Sequence, residues 1–71
     1  MIPLDRWNSL RGIDPVTERE GDCVYRGSTK YLINCVFPRP GRPNRLDLIS
    51  PEGRMFAVSS PDEYSLEPQT R

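Results

Sequence analysis

The chain contains no histidine, which removes the commonest general base and the commonest metal ligand. Its two cysteines, Cys23 and Cys35, form no CxxC pair and have no second pair to join, which argues against a zinc site. Neither has a neighbouring base that would activate a thiol nucleophile. Asp62 and Glu63 are adjacent acids, but neighbouring side chains on a turn point apart, so they read as solvated charge rather than a catalytic pair. Glycine-rich phosphate loops, GxSxG and Walker patterns are missing as well. These absences together point to a protein that is not an enzyme and that uses no cofactor and no metal.

Long apolar runs are also lacking. None approaches the ~18 residues a membrane span needs. The opening Met1-Ile2-Pro3-Leu4-Asp5-Arg6 carries an early acid and no apolar stretch of the kind a secretory signal uses. A cytoplasmic protein is therefore expected, with both thiols reduced. Cys23 and Cys35 sit within apolar strand patterns, where they read as small buried hydrophobes; a disulfide between them is the alternative. Lysine is nearly absent too: nine of the ten cations are arginines, whose flat donor fork suits interfaces and phosphate contacts.

Among 71 residues, eight prolines and five glycines cut the chain into short pieces and leave no room for long helices. A domain of this size buries only about 60% of the surface its unfolded chain exposes, so every large apolar group counts. Net charge is zero but unevenly spread. Acids outnumber cations in residues 1–22 and again in 55–71, whereas residues 23–54 hold six cations against Asp47 and Glu52. The basic middle either neutralises the two acidic ends within one fold or faces an acidic partner.

Residues 1–20 read as an N-terminal arm. Leu4, Trp7 and Leu10 recur at three-residue spacing, Asp5 can cap a helical turn starting at Arg6, and Gly12 with Asp14-Pro15 would end it. From Gly21 to Leu66 the pattern is β. Cys23–Arg26 and Tyr31–Phe37 are joined by the loop Gly27-Ser28-Thr29, a register that sets Tyr25 opposite Tyr31 and Cys23 opposite Ile33. Strict alternation then puts Tyr31, Ile33, Cys35 and Phe37 on the core face. A second hairpin turns at Ser50-Pro51-Glu52-Gly53, with Gly53 as a left-handed bulge residue. It pairs Ser50 with Arg54, Leu48 with Phe56 and Leu46 with Val58. Residues 62–66 offer a turn and a short fifth strand, and residues 67–71 a loose tail.

The fold class expected is mostly β: a four- to five-stranded antiparallel meander or small barrel, with a short helical or extended N-terminal arm. The Gly21-Asp22-x-Val24 opening and the Pro51-Glu52-Gly53-Arg54-x-Phe56-x-Val58 hairpin resemble SH3-like barrels of the KOW and Tudor kind. That resemblance implies a scaffold for binding protein or nucleic acid.

Three surfaces are candidates for binding. Arg39, Arg42 and Arg45 are spaced by three in a proline-rich loop, so a polyproline II conformation would align them to track phosphates or clamp an acidic surface. A solvated loop is the alternative, and Pro40-x-x-Pro43 also has the form of an SH3 ligand. The arm, with Leu4, Arg6, Trp7 and Leu10, offers a hot-spot cluster, or else Trp7 closes the end of the barrel. Tyr25, Tyr31 and Phe37 could stack bases, although alternation assigns them to the core.

The function expected is a small binding protein that docks on a larger macromolecular machine and regulates or inhibits it. In style it resembles the small bacteriophage-encoded regulators of host RNA polymerase and other host enzymes, which makes a protein the expected partner. Nucleic-acid binding through the arginine loop and a structural role in an assembly are the alternatives. No membrane or small-molecule partner is expected.

Overall fold

The computed structural model describes residues 1–10 and 22–69. Helix α1, Leu4–Ser9, starts two residues earlier than the capping pattern suggests. Pro3, not Asp5, is its N-cap; the Pro3 carbonyl accepts from the Trp7 amide at 2.9 Å, and Asp5 lies in the first turn, where its charge favours the helix dipole. Leu10 returns to an extended conformation and ends the helix, its amide donating to the Trp7 carbonyl at 3.3 Å. Six residues are too few to hold a helix alone in water, so α1 depends on what it packs against. Gly12, Asp14 and Pro15, expected to end this helix, lie outside the described residues.

Four strands follow: β1 Cys23–Arg26, β2 Thr29–Phe37, β3 Arg45–Ile49 and β4 Met55–Val58. They form one open antiparallel sheet in the order β1-β2-β3-β4, a plain meander. The expected fold class holds: a mostly β protein with one short helix.

The β1–β2 turn is tighter than its sequence suggests. Arg26 pairs with Thr29, leaving Gly27-Ser28 as a two-residue turn. Gly27 takes φ +65 while Ser28 keeps a negative φ, the requirement of a type II′ turn, which matches the twist of the flanking strands. The register therefore slips by one: Val24 faces Tyr31, Cys23 faces Leu32 and Tyr25 faces Lys30. Val24 becomes the fully buried residue of β1. The β3–β4 hairpin matches expectation pair for pair, with Gly53 at φ +87 and its amide donating to the Ser50 carbonyl at 2.8 Å.

Strict alternation along β2 fails at Asn34. Ile33 pairs with Leu48, but Cys35, not Asn34, pairs with Asp47, so Asn34 is the extra residue of a β-bulge. The phase shifts by one beyond it, and Val36 rather than Cys35 meets Leu46. Cys35 and Phe37 are thereby turned to the opposite face from the core, and Phe37 remains 41% exposed. Replacing Cys35 by the larger aliphatic Val36 against Leu46 buries more apolar surface, which favours the bulge.

The core lies on one face only. Val24, Ile33, Leu46 and Leu48 from the sheet are joined by Ile2, Trp7 and Tyr64, with Leu10, Tyr31, Val36, Phe56, Val58 and Leu66 packed around them. Residues before and after the sheet thus complete its core. Tyr31 meets Phe56 edge-on at 5.4 Å between ring centroids, and Tyr64 at 6.0 Å.

After β4 the chain turns at 61–63 and crosses to the far edge of the sheet. Ser65 exchanges both backbone hydrogen bonds with Tyr25 at 2.8 Å, and the Gln69 amide donates to the Gly27 carbonyl at 2.7 Å. The fifth strand expected over 62–66 is this single bridge. It covers the outer edge of β1, whereas β4 keeps a free edge among the described residues.

Candidate docking surface

Trp7 and the arginine loop are the two features that suggested an interface, and both are largely spent on the fold itself. The Trp7 side chain is fully buried, its Nε1–H donates to the Asn44 carbonyl at 2.7 Å, and its ring lies 6.0 Å from Tyr64. Asn44 is held from the other side: its amide donates to Asn8 Oδ1 at 2.8 Å and its Nδ2 to the Asn8 carbonyl at 3.0 Å. These three bonds fix α1 to the start of β3. Trp7 is thus a core residue that covers the sheet, and its ring is not presented to a partner in this conformation. Leu4, read on the same face, is half exposed, Arg6 is exposed and Leu10 is half-buried against the core.

The loop from Pro38 to Asn44 is not a continuous polyproline II helix. It folds back through a turn at Pro40-Gly41, where Gly41 takes φ +68. Arg39 braces that turn, donating from Nε and a terminal nitrogen to the Pro43 carbonyl at 3.1 and 2.8 Å. Arg45 packs its guanidinium 4.2 Å from the centre of the Phe37 ring and pairs with Asp47 at 3.3 Å. Only Arg42 of the three is exposed, and Arg39 and Arg45 are half-buried. The common edge expected for Arg39, Arg42 and Arg45 does not form, because two of them bond to their own chain.

The base-stacking platform also divides. Tyr31 points into the core, while Tyr25 and Phe37 lie on the opposite face.

That opposite face is the feature the sequence reading missed. The register places Cys23, Leu32, Ile49 and Met55 in one row across all four strands. Cys35, Asp47 and Ala57 form the next row, Phe37 and Arg45 stand at one end, and Tyr25 and Lys30 at the other. None of these apolar residues belongs to the core cluster or to the residues packed against it; Cys23, Leu32, Cys35 and Ile49 are half-buried, and Phe37, Ala57 and Met55 are exposed. Met55 is 58% exposed, with Asn34 Nδ2 3.2 Å from its sulfur. The alternation expected within each strand already puts Leu32, Ile49 and Met55 on this face; Cys23 joins them only through the slipped first hairpin, and Cys35 and Phe37 only through the bulge at Asn34.

The two thiols are free and both lie on this face. Cys35 stands two ladder steps beyond Leu32, the partner of Cys23. Strand geometry puts their Cα atoms about 8 Å apart, past the ~7 Å limit for a disulfide without backbone movement. The Tyr25 phenol is pushed above its ordinary value, first by repulsion from an ionised Cys23 two residues away. Among the described residues no three acidic or thiol side chains converge as a metal site would. No helix there is long and apolar enough to cross a membrane.

No protein-family model matches the chain, and comparison with curated proteins and with solved structures also gives no match.

Proposed function

We propose that this chain is a small non-enzymatic protein that docks on a larger protein assembly through the outer face of its sheet, and that it regulates the assembly by occupying it. The supporting observation is the apolar row Cys23-Leu32-Ile49-Met55, which spans the sheet on the face opposite the core and keeps part of its surface accessible, most of all at Met55. Burial of such a row is what drives protein association, at about 25 cal/mol per Å² of apolar surface removed from water. The polar groups beside it, Lys30 at one end and Asp47 and Arg45 at the other, suit the rim of an interface. With Arg39 and Arg45 engaged within the fold, the phosphate-tracking alternative loses two of its three cations. Small size and zero net charge also favour a protein partner of the kind that phage regulators seize, with bacterial RNA polymerase the first to try.

The test is capture from nuclease-treated bacterial lysate, and from purified RNA polymerase, using the intact chain and Ile49→Lys at low and high salt. Docking on the sheet face predicts one stoichiometric protein that survives high salt and is lost with Ile49→Lys. Capture limited to nucleic acid that washes off with salt would instead support the arginine loop.

A further inference from the structure

The two edges of the sheet are treated differently. On β1, residues 65 to 69 supply three backbone hydrogen bonds to Tyr25 and Gly27. On β4 no other described segment does so. The hairpin fixes which groups are left over. Ser50 donates to the Arg54 carbonyl at 2.8 Å, so Ser50 and Arg54 are a hydrogen-bonded pair. Pairing then alternates: Phe56 and Val58 direct their amides and carbonyls to β3, and those of Met55 and Ala57 point outward. An unpaired row of this kind is a template for another strand.

The free edge does not open onto bulk solvent alone. It forms one wall of a groove lined by Phe56, Ala57 and Val58, and the opposite wall is Asp62, Glu63 and Tyr64 with Arg26. Glu63 pairs with Arg26 at 3.4 Å, whereas Asp62 is exposed and has no ion pair among the described residues. The second wall decides the occupant. A second copy pairing through its own β4 would bring its β3 as well, toward a groove whose far side residues 62–64 already line. A single extended segment has no strand behind it.

We infer that the groove between β4 and the 62–64 turn takes an extended peptide segment of the partner protein by strand addition to Met55 and Ala57, with apolar side chains toward Phe56 and Val58 and a basic residue beside Asp62. This rests on the reading of the chain as a protein-docking module and names how the partner is held. Main-chain bonds supply attachment, and the alternate side chains and the acid supply selectivity. The peptide residues bonded to β4 carry their side chains on the same face as Met55 and Ala57, so the added strand also extends the apolar outer face.

The probe is a capped hexapeptide in which valine alternates with threonine and one end carries lysine, followed by amide NMR of the full chain. Binding should shift the Met55 and Ala57 amides and slow their hydrogen exchange. N-methylation of the threonines, which removes the donors facing β4, should abolish binding. Ala57→Pro should do the same while keeping the β3–β4 ladder, because that amide points outward. Asp62→Lys, or a glutamate in place of the peptide lysine, should weaken binding about two- to five-fold, the scale of one exposed charge pair. The inference is overturned by no binding at millimolar peptide. It is equally overturned by shifts confined to Leu32, Cys35 and Ile49 that survive N-methylation. If Ala57→Pro still captures the lysate partner, strand addition fails and docking stands; if the intact chain captures no protein at all, docking itself fails.

Discussion

Trp7 is the largest of the fully buried side chains among the described residues. It is fully buried and its indole holds the Asn44 carbonyl. Trp7→Ala should cost about 3–5 kcal/mol. A chain of this length holds roughly 4–10 kcal/mol in total, so most of the margin goes and chemical denaturation should show a partly unfolded baseline. Trp7→Phe keeps the ring and strands the carbonyl, and should cost about 1–3 kcal/mol. A small loss for Trp7→Ala would mean that α1 is not docked in solution. Tyr64 gives a pH prediction. Burial pushes its phenol above the ordinary value, against a partial pull downward from Arg26. A raised folded value means that its contribution to stability is complete below about pH 10 and is lost as pH rises through the folded value. Denaturation midpoints should fall in that alkaline window, and less steeply for Tyr64→Phe. The role of Trp7 was legible only as a choice between core and interface, because no local pattern states whether a lone tryptophan faces a sheet or a partner.

Elements differ in how well their sequence announces them. The β3–β4 hairpin was readable in full because Pro51 and Gly53 allow one turn geometry and the flanking apolar residues allow one register. The first hairpin was not, since Gly27-Ser28-Thr29 accommodates a loop of two or three residues, and the choice between them is made by Val24 reaching the core. Nor was the bulge, because the run from Tyr31 to Phe37 is apolar at every position but Asn34 and so has no period to mark the shift, and only the identity of the cross-strand partners moves Val36 inward. Asn34 is therefore a spacer as far as pairing is concerned. Deleting it leaves Ile33 opposite Leu48, Cys35 opposite Asp47 and Val36 opposite Leu46 in a regular ladder. The deletion should change stability by no more than about 1 kcal/mol. The NMR shifts of β1 and β4 should stay in place, apart from Met55, which loses its contact with Asn34. Loss of the fold on deletion would show that the bend matters more than the pairing.

At the scale of the whole molecule, the segments that flank the strands complete the core of the sheet. Residues 1–10 provide Ile2 and Trp7 to the core, residues 61–66 provide Tyr64, and Ser65 protects the edge of β1. Ser65→Pro removes the amide that bonds Tyr25 and uncovers that edge. It should cost about 3 kcal/mol and promote self-association visible by light scattering, whereas Ser65→Ala keeps the amide and should remain monodisperse. The outer face was legible only in part, at Leu32, Ile49 and Met55, because Cys23, Cys35 and Phe37 reach it through a turn and a bulge that no short motif announces; the β4 edge depends on the strand order of the whole sheet. The bond from Trp7 to Asn44 joins residues 37 apart in sequence. Closing so large a loop before α1 can be held makes its docking a late step in folding. Since Trp7 is the only tryptophan, its fluorescence is a clock for that last step. In a refolding experiment the β signal in circular dichroism should rise first, and the indole should report the moment at which the helix locks onto a sheet already made.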